Sequence, residues 1–151
     1  MFETEKVEAA VKVVNVVASA TLRQRVNLDV VAKGFPSAEF PSGRFPGLVF
    51  RLKKPKTVTL IFSSGKMICT GGRSENEARK AVENVVSELT KGGIITSKRS
   101  KVKIDNIVAS ANLGRNVDLE SVSKMQRTMY EPEQFPALIY RMDDPKVVFL
   151  I

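Results

Sequence analysis

The chain repeats itself. The segment Lys12-Val-Val-Asn-Val-Val-Ala-Ser-Ala20 returns as Lys103-Ile-Asp-Asn-Ile-Val-Ala-Ser-Ala111 at an offset of 91, with six of nine pairs identical. A second block, Phe45-Pro-Gly-Leu-Val-Phe-Arg-Leu-Lys-Lys-Pro-Lys56, returns as Phe135-Pro-Ala-Leu-Ile-Tyr-Arg-Met-Asp-Asp-Pro-Lys146 at an offset of 90, with six of twelve identical. Two blocks in the same order, with one residue lost between them, imply a tandem duplication. The period is too long for a solenoid, and two copies point to a pseudo-twofold pair of structural units. The expected division is an N-terminal segment 1–10, a first repeat 11–93, a linker 94–102 and a second repeat 103–151. The second repeat runs out one position before the counterpart of Phe62. It therefore lacks its last strand, its long helix and the mate of Thr70, as in a degenerate paralogue or an incomplete chain.

Local patterns give each repeat an α+β plan. Runs 11–20, 47–52, 57–63 and 66–71 are rich in Val, Ile, Leu, Phe and Thr and are bounded by turn residues, so they read as strands. Ser63-Ser-Gly65 reads as a hairpin turn. A short helix fits residues 27–33 with Asn27 as its cap, and Asp118 is the matching cap in the second repeat. Ser74-Glu-Asn-Glu77 forms a capping box. Ala78, Ala81, Val82, Val85, Val86 and Leu89 follow it at helical spacing before Gly92-Gly93 ends the helix.

A sheet wet on one side alternates apolar with polar residues. Here Val49, Val58, Leu60, Phe62 and Ile68 share one phase with Phe45, Arg51, Lys66 and Thr70, while Leu48, Phe50, Leu52, Ile61 and Met67 occupy the other. Both faces are apolar. One buries against the long helix; the other is left largely apolar, with Asn, Thr, Arg and Lys around it, which marks an interaction surface. A two-layered sheet sandwich is the alternative, although a basic rim fits a sandwich core poorly. In the second repeat, Leu138, Tyr140 and Met142 have no equivalent helix to cover them and are expected to lie wet, favouring self-association.

Composition narrows the chemistry. The 151 residues carry 24 Lys+Arg against 16 Asp+Glu, a formal charge of +8, which favours a polyanionic partner. With no histidine and a single cysteine, Cys69, the chain has no Ser-His-Asp or Cys-His nucleophile system, no histidine metal site and no internal disulfide. The apolar runs fall short of the ~20 residues of a membrane helix, and the acidic start is unlike a signal peptide. No cofactor is expected, and the expected compartment is reducing.

Several segments together resemble the TATA-binding protein family. They are Asn15-Val-Val-Ala-Ser, Phe45-Pro-Gly-Leu-Val-Phe-Arg-Leu, Leu60-Ile-Phe-Ser-Ser-Gly-Lys-Met-Ile-Cys-Thr-Gly71 and Tyr130-Glu-Pro-Glu-Gln-Phe-Pro-Ala-Leu-Ile-Tyr-Arg141. Asp143-Asp-Pro-Lys-Val-Val is closer to the archaeal branch. The resemblance implies a saddle: a curved antiparallel sheet whose concave face receives DNA and whose convex face carries helices, the second half being incomplete here. It implies a general transcription initiation factor, not an enzyme. Related domains do accompany glycosylases and ribonucleases, but no catalytic module is present in this sequence. The implied location is the cytoplasm, on the nucleoid in an archaeon, or the nucleus in a eukaryote.

The resemblance also assigns roles. Asn15 and Asn106 match an asparagine pair at the centre of the site whose amides donate to adenine N3 and thymine O2, and Thr70 matches a threonine at a base edge. Val17, Ile68 and Val108 match apolar floor contacts that clash with a guanine amino group. Phe45 and Phe62 match one pair of wedges that kink the duplex, and Phe135 matches the first of the second pair; read without the family, such phenylalanines are core. Arg44, Arg51, Lys66 and Arg141 match positions near phosphates, which supply register more than sequence information. Glu131 and Glu133 match an acidic loop that contacts transcription factor B and so leads to RNA polymerase, with Gln134 where leucine is common; a merely solvated loop is the alternative. The positive balance departs from acidic archaeal members. A competing function is a protein-interaction module working through the apolar face.

Overall fold

The computed structural model describes residues 10–97 and 100–151. Residues 1–9 of the expected N-terminal segment, and 98 and 99 of the expected linker, lie outside the described residues. The chain divides into two compact units, Ala10–Ala111 and Asn112–Ile151.

The first unit holds β1 (Val11–Thr21), α1 (Leu28–Gly34), β2 (Ala38–Glu39), β3 (Gly47–Lys53), β4 (Lys56–Phe62), β5 (Lys66–Gly72), α2 (Glu75–Lys91) and β6 (Lys101–Ala111). Its six strands form one antiparallel sheet in the order β2-β3-β4-β5-β1-β6. The unit's boundary falls after β6 and not between the sequence repeats, because β6, which opens the second repeat, pairs along its whole length with β1, which opens the first. These are the two segments that sequence comparison aligns.

Both helix starts follow from local chemistry. The Val30 N–H donates to the Asn27 side chain at 3.2 Å, and the Glu77 N–H to Ser74 Oγ at 3.0 Å. Glu77 reaches back to accept from the Arg73 N–H at 2.9 Å, one residue earlier than an ideal capping box. The whole α2 stripe of Ala78, Ala81, Val82, Val85, Val86 and Leu89 is buried. Most of it packs with Leu48, Phe50, Ile61 and Met67 of the sheet, and Ala78 with Val16 and Ala18. Full burial of each Val or Leu is worth about 1.5–3 kcal/mol. A helix layer, not a second sheet, covers this face, so the sandwich alternative is not the one adopted here.

Two features escaped the sequence pattern. The short edge strand β2 pairs with β3 through Ala38↔Phe50 and Glu39↔Val49. The β1–β6 ladder also shifts register twice, between Val13 and Asn15 and again between Val17 and Ala18. The extra residues are Val14 on β1 and Asp105 on β6, which are repeat mates. Each bulge turns the strand, so that Val13 and Ile104 pack on the helix side while the asparagine that follows serves the other face.

The second unit holds α3 (Leu119–Val122), β7 (Thr128–Met129), β8 (Ile139–Asp143) and β9 (Lys146–Leu150), the strands forming an antiparallel sheet in that order. Asp118 caps α3, accepting from the Ser121 N–H at 3.2 Å and the Ser121 hydroxyl at 2.6 Å. The expectation that Leu138, Tyr140 and Met142 lie wet is corrected. Leu138 is buried, with its backbone bonded in both directions to Ile151, and Tyr140 and Met142 are half-buried, Tyr140 stacking on Phe149 across the ladder. The exposed apolar run is β9 itself, where Val147, Val148, Phe149 and Leu150 all face solvent.

Candidate nucleic-acid interface

Burial along the strands separates the two faces of the first unit's sheet. On β1, Val16, Ala18 and Ala20 are buried, whereas Asn15, Val17 and Ser19 are only partly covered; on β5, Met67 and Cys69 are buried between half-covered Ile68 and Thr70. On β4 the half-covered set is Val58, Leu60 and Phe62. The phase that carries Val58, Leu60, Phe62, Ile68 and Thr70 is thus the face that α2 leaves open.

Strand pairing concentrates the candidate base-contacting residues there. Directly opposed residues share a face, and Asn15 opposes Val108 while Val17 opposes Asn106. The two asparagine–valine pairs are related by the pseudo-twofold between β1 and β6. Ile68 and Thr70 continue the patch on β5, which neighbours β1 on its other side. All six candidate floor residues therefore lie on one continuous face.

The asparagine of β1 is held in place. The Gly71 N–H donates to Asn15 Oδ1 at 2.7 Å, and Asn15 Nδ2 donates to Thr70 Oγ1 at 3.1 Å. Thr70 and Gly71 fall in the irregular stretch of the β1–β5 ladder between the pairs Val16↔Gly72 and Ala18↔Cys69. There Gly71 takes φ +101°, a conformation that L residues with a Cβ rarely adopt.

Phe45 and Phe62 form a ring pair with centroids 5.9 Å apart and planes at 57°. Phe45 is 41% exposed, against 1% for the core ring Phe50. Gly47 lies beneath the pair: a Cβ at Gly47 would come 2.8 Å from Phe45 and 3.1 Å from Phe62. Sequence reasoning missed both Gly47 and Gly71; their only signal was a glycine interrupting an otherwise β-rich run.

Of the candidate phosphate ligands, Arg44, Arg51 and Lys66 are exposed in this unit. The Arg51 guanidinium pairs with Glu39 on β2 at 3.2 Å, with both side chains largely in water. Such a pair contributes little and exchanges readily for another anion. In the second unit, Phe135 is 43% exposed and Arg141 is exposed on β8. Phe135 follows a turn in which the Gln134 and Phe135 N–H groups both donate to the Glu131 carbonyl at 2.9 Å, leaving the side chains of Glu131, Glu133 and Gln134 at the surface.

Among the described residues no cluster of Cys, Asp and Glu is arranged to hold a metal ion. Cys69 sits in the core, where burial pushes its thiol pKa up, opposed in part by the hydroxyls of Thr59 and Thr57. A raised thiol pKa suppresses the nucleophilic thiolate. Among the described residues no helix is long and apolar enough to cross a membrane.

In the first unit, helices cover one sheet face and leave a polar-centred apolar patch open on the other, the arrangement of a binding surface. Residues 10–92 and 101–151 match the family described as Transcription factor TFIID (or TATA-binding protein, TBP). The chain belongs to this family. It is 46% identical over 142 residues to the TATA-box-binding protein of Methanothermobacter thermautotrophicus, covering 93% of this chain and 78% of that one. To the TATA-box-binding protein of Sulfolobus acidocaldarius it is 47% identical over 145 residues, covering 95% and 74%. The solved structure of Methanococcus jannaschii TBP superposes with a TM-score of 0.80 at 46% identity, covering 93% of this chain and 81% of that one. The fold is that of TATA-binding proteins, of archaeal type, and the family comprises transcription factors, not enzymes.

Proposed function

We propose that this chain binds the minor groove of TATA-box promoter DNA through the open sheet face, bends the duplex by inserting phenylalanine wedges, and presents the complex to transcription factor B and RNA polymerase. The observation that carries this reading is the central quartet in which Asn15 opposes Val108 and Val17 opposes Asn106. The A·T minor groove offers only acceptors on its floor, with the same pattern in either orientation. A pseudo-twofold face with amide donors at its centre and apolar contacts around them suits that floor, and a guanine amino group would obstruct it. Ile68 and Thr70 extend the contact. Phe45 and Phe62, with Phe135 from the second repeat, act as wedges. Unstacking a base step costs about a few kcal/mol, a figure for which this family is itself the standard example, and the wider contact that bending permits offsets it.

Arg44, Arg51, Lys66 and Arg141 neutralise phosphates, with Arg51 exchanging Glu39 for the backbone. Glu131, Glu133 and Gln134 form the contact to transcription factor B. The two sequence repeats, 11–93 and 103–151, each contribute to this work, and the protein acts where the chromosome is. The test is equilibrium binding to a TATA-box duplex, to a GC-rich duplex, and to one in which each A·T pair is replaced by inosine·C, which lacks the minor-groove amino group. The reading requires the first and third to bind alike and the second to bind far more weakly; equal affinity for all three refutes it.

A second reading, self-association or capture of a protein partner, is favoured by one observation: Val147, Val148, Phe149 and Leu150 of β9 are all exposed. Apolar surface of this kind drives association. Sedimentation over a range of protein concentrations, with and without DNA, separates the two readings.

A further inference from the structure

We infer that the Gly71 N–H sets the polarity of Asn15, so that this part of the face presents a hydrogen-bond donor, and never an acceptor, to a base beneath it. The inference deepens the minor-groove reading and rests on it. A backbone N–H can only donate, so the amide atom 2.7 Å from Gly71 N is Oδ1. The planar amide then turns Nδ2 the other way. One of its hydrogens is engaged by Thr70 Oγ1 at 3.1 Å, and one is left over.

An asparagine free to rotate accepts as readily as it donates. It could flip its amide and take a hydrogen bond from the guanine amino group, which would relax selectivity at that pair. Flipping Asn15 would set its NH2 against the Gly71 N–H, two donors at hydrogen-bond distance, and would leave that N–H without its partner. Gly71 is therefore a positioning residue. Its φ of +101° in the irregular stretch of β5 delivers the N–H to Asn15, and a Cβ there would meet the Lys56 carbonyl oxygen at 3.2 Å.

Replacing the Gly71 amide by an ester, with glycolic acid incorporated at this position in the full chain, removes the N–H and little else. Binding is then measured to TATA-box duplexes in which each adenine in turn becomes 2,6-diaminopurine, which adds an amino group to the minor groove only. The unaltered protein should lose affinity at each contacted pair. The ester protein should recover at one pair, its penalty there falling by about fivefold or more while the others stay unchanged, since one well-placed base contact discriminates on that scale. An ester protein with the same penalty at every pair overturns the inference. Failure of the unaltered protein to prefer the unmodified duplex would instead overturn the minor-groove reading beneath it.

Amide hydrogen exchange supplies a check independent of DNA. Exchange at Gly71 should accelerate in Asn15→Ala while Met67 and Cys69 keep their protection. Unchanged exchange at Gly71 would show that Asn15 does not hold it.

Discussion

Replacing Phe45 by alanine should separate a wedge from a core residue, because Phe50, on β3, provides the comparison. Full burial of a phenylalanine side chain is worth about 1.5–3 kcal/mol. Phe45 is 41% exposed, so roughly three-fifths of that, about 1–2 kcal/mol, is at stake, and part of it is the ring contact with Phe62. The neighbours can also close over the site, since Phe62 is itself only partly covered. Phe50 is 1% exposed and packs against Phe35 with ring centroids 5.4 Å apart. Truncating it leaves a cavity as well as losing contact, and such changes cost about 3–5 kcal/mol. In urea titrations Phe45→Ala should therefore lower stability by less than half as much as Phe50→Ala. With energy transfer between dyes at the two ends of a TATA-box duplex, Phe45→Ala should lose much of the bend at saturating protein. A Phe45→Ala variant as unstable as Phe50→Ala, or one that is stable and bends DNA fully, would refute the assignment of Phe45 to the open face as a wedge.

Further outcomes follow from other parts of the molecule. Arg51→Ala and Arg141→Ala should each flatten the dependence of log affinity on log salt by about 0.9 while leaving AT preference intact; a steeper change in preference than in slope would argue for base contact. Gly65→Ala should destabilise strongly, because φ is +89° and the added Cβ would run into the Gln24 carbonyl oxygen; thermal melts that match the parent would refute the packing of this turn. The Asp118 carboxyl is held below its ordinary pKa, first by the Ser121 hydroxyl, then by backbone N–H groups. A group whose folded pKa is depressed contributes stability above its unfolded pKa and loses it as the pH falls through the folded value. Asp118→Ala should therefore weaken the α3 region at neutral pH and make a smaller difference once the pH lies below the carboxyl's lowered pKa, as followed by backbone amide shifts.

Much of this protein was written in local pattern. The duplication is read by laying the sequence on itself, and the Asn27, Ser74 and Asp118 caps, the Ser63-Ser-Gly65 turn and the buried stripe of α2 depend on residues a few positions apart, so a linear reading reaches them all. The double apolar phase of β3, β4 and β5 was equally legible, because strand geometry alternates sides whatever the partner. The polar rim of Arg51, Lys66 and Thr70 also marked which phase stays open; the particular contacts that bury the other were made when α2 folded back on Leu48, Phe50, Ile61 and Met67.

The candidate site was legible as residue types and not as geometry. Asn15 and Asn106 stood out as repeat mates, yet their placement opposite each other's valines required the antiparallel pairing of β1 with β6 and the bulges at Val14 and Asp105. The grip of Gly71 on Asn15 joins residues 56 apart in the chain. Gly47 beneath the Phe45–Phe62 pair, and the burial of Leu138 against expectation, likewise come from chain segments meeting in space. Caps, turns and periodicity are set by bonds within one turn or one strand, whereas register, bulges and ring contacts are settled by which distant segments pack together, and only the folded chain makes that choice.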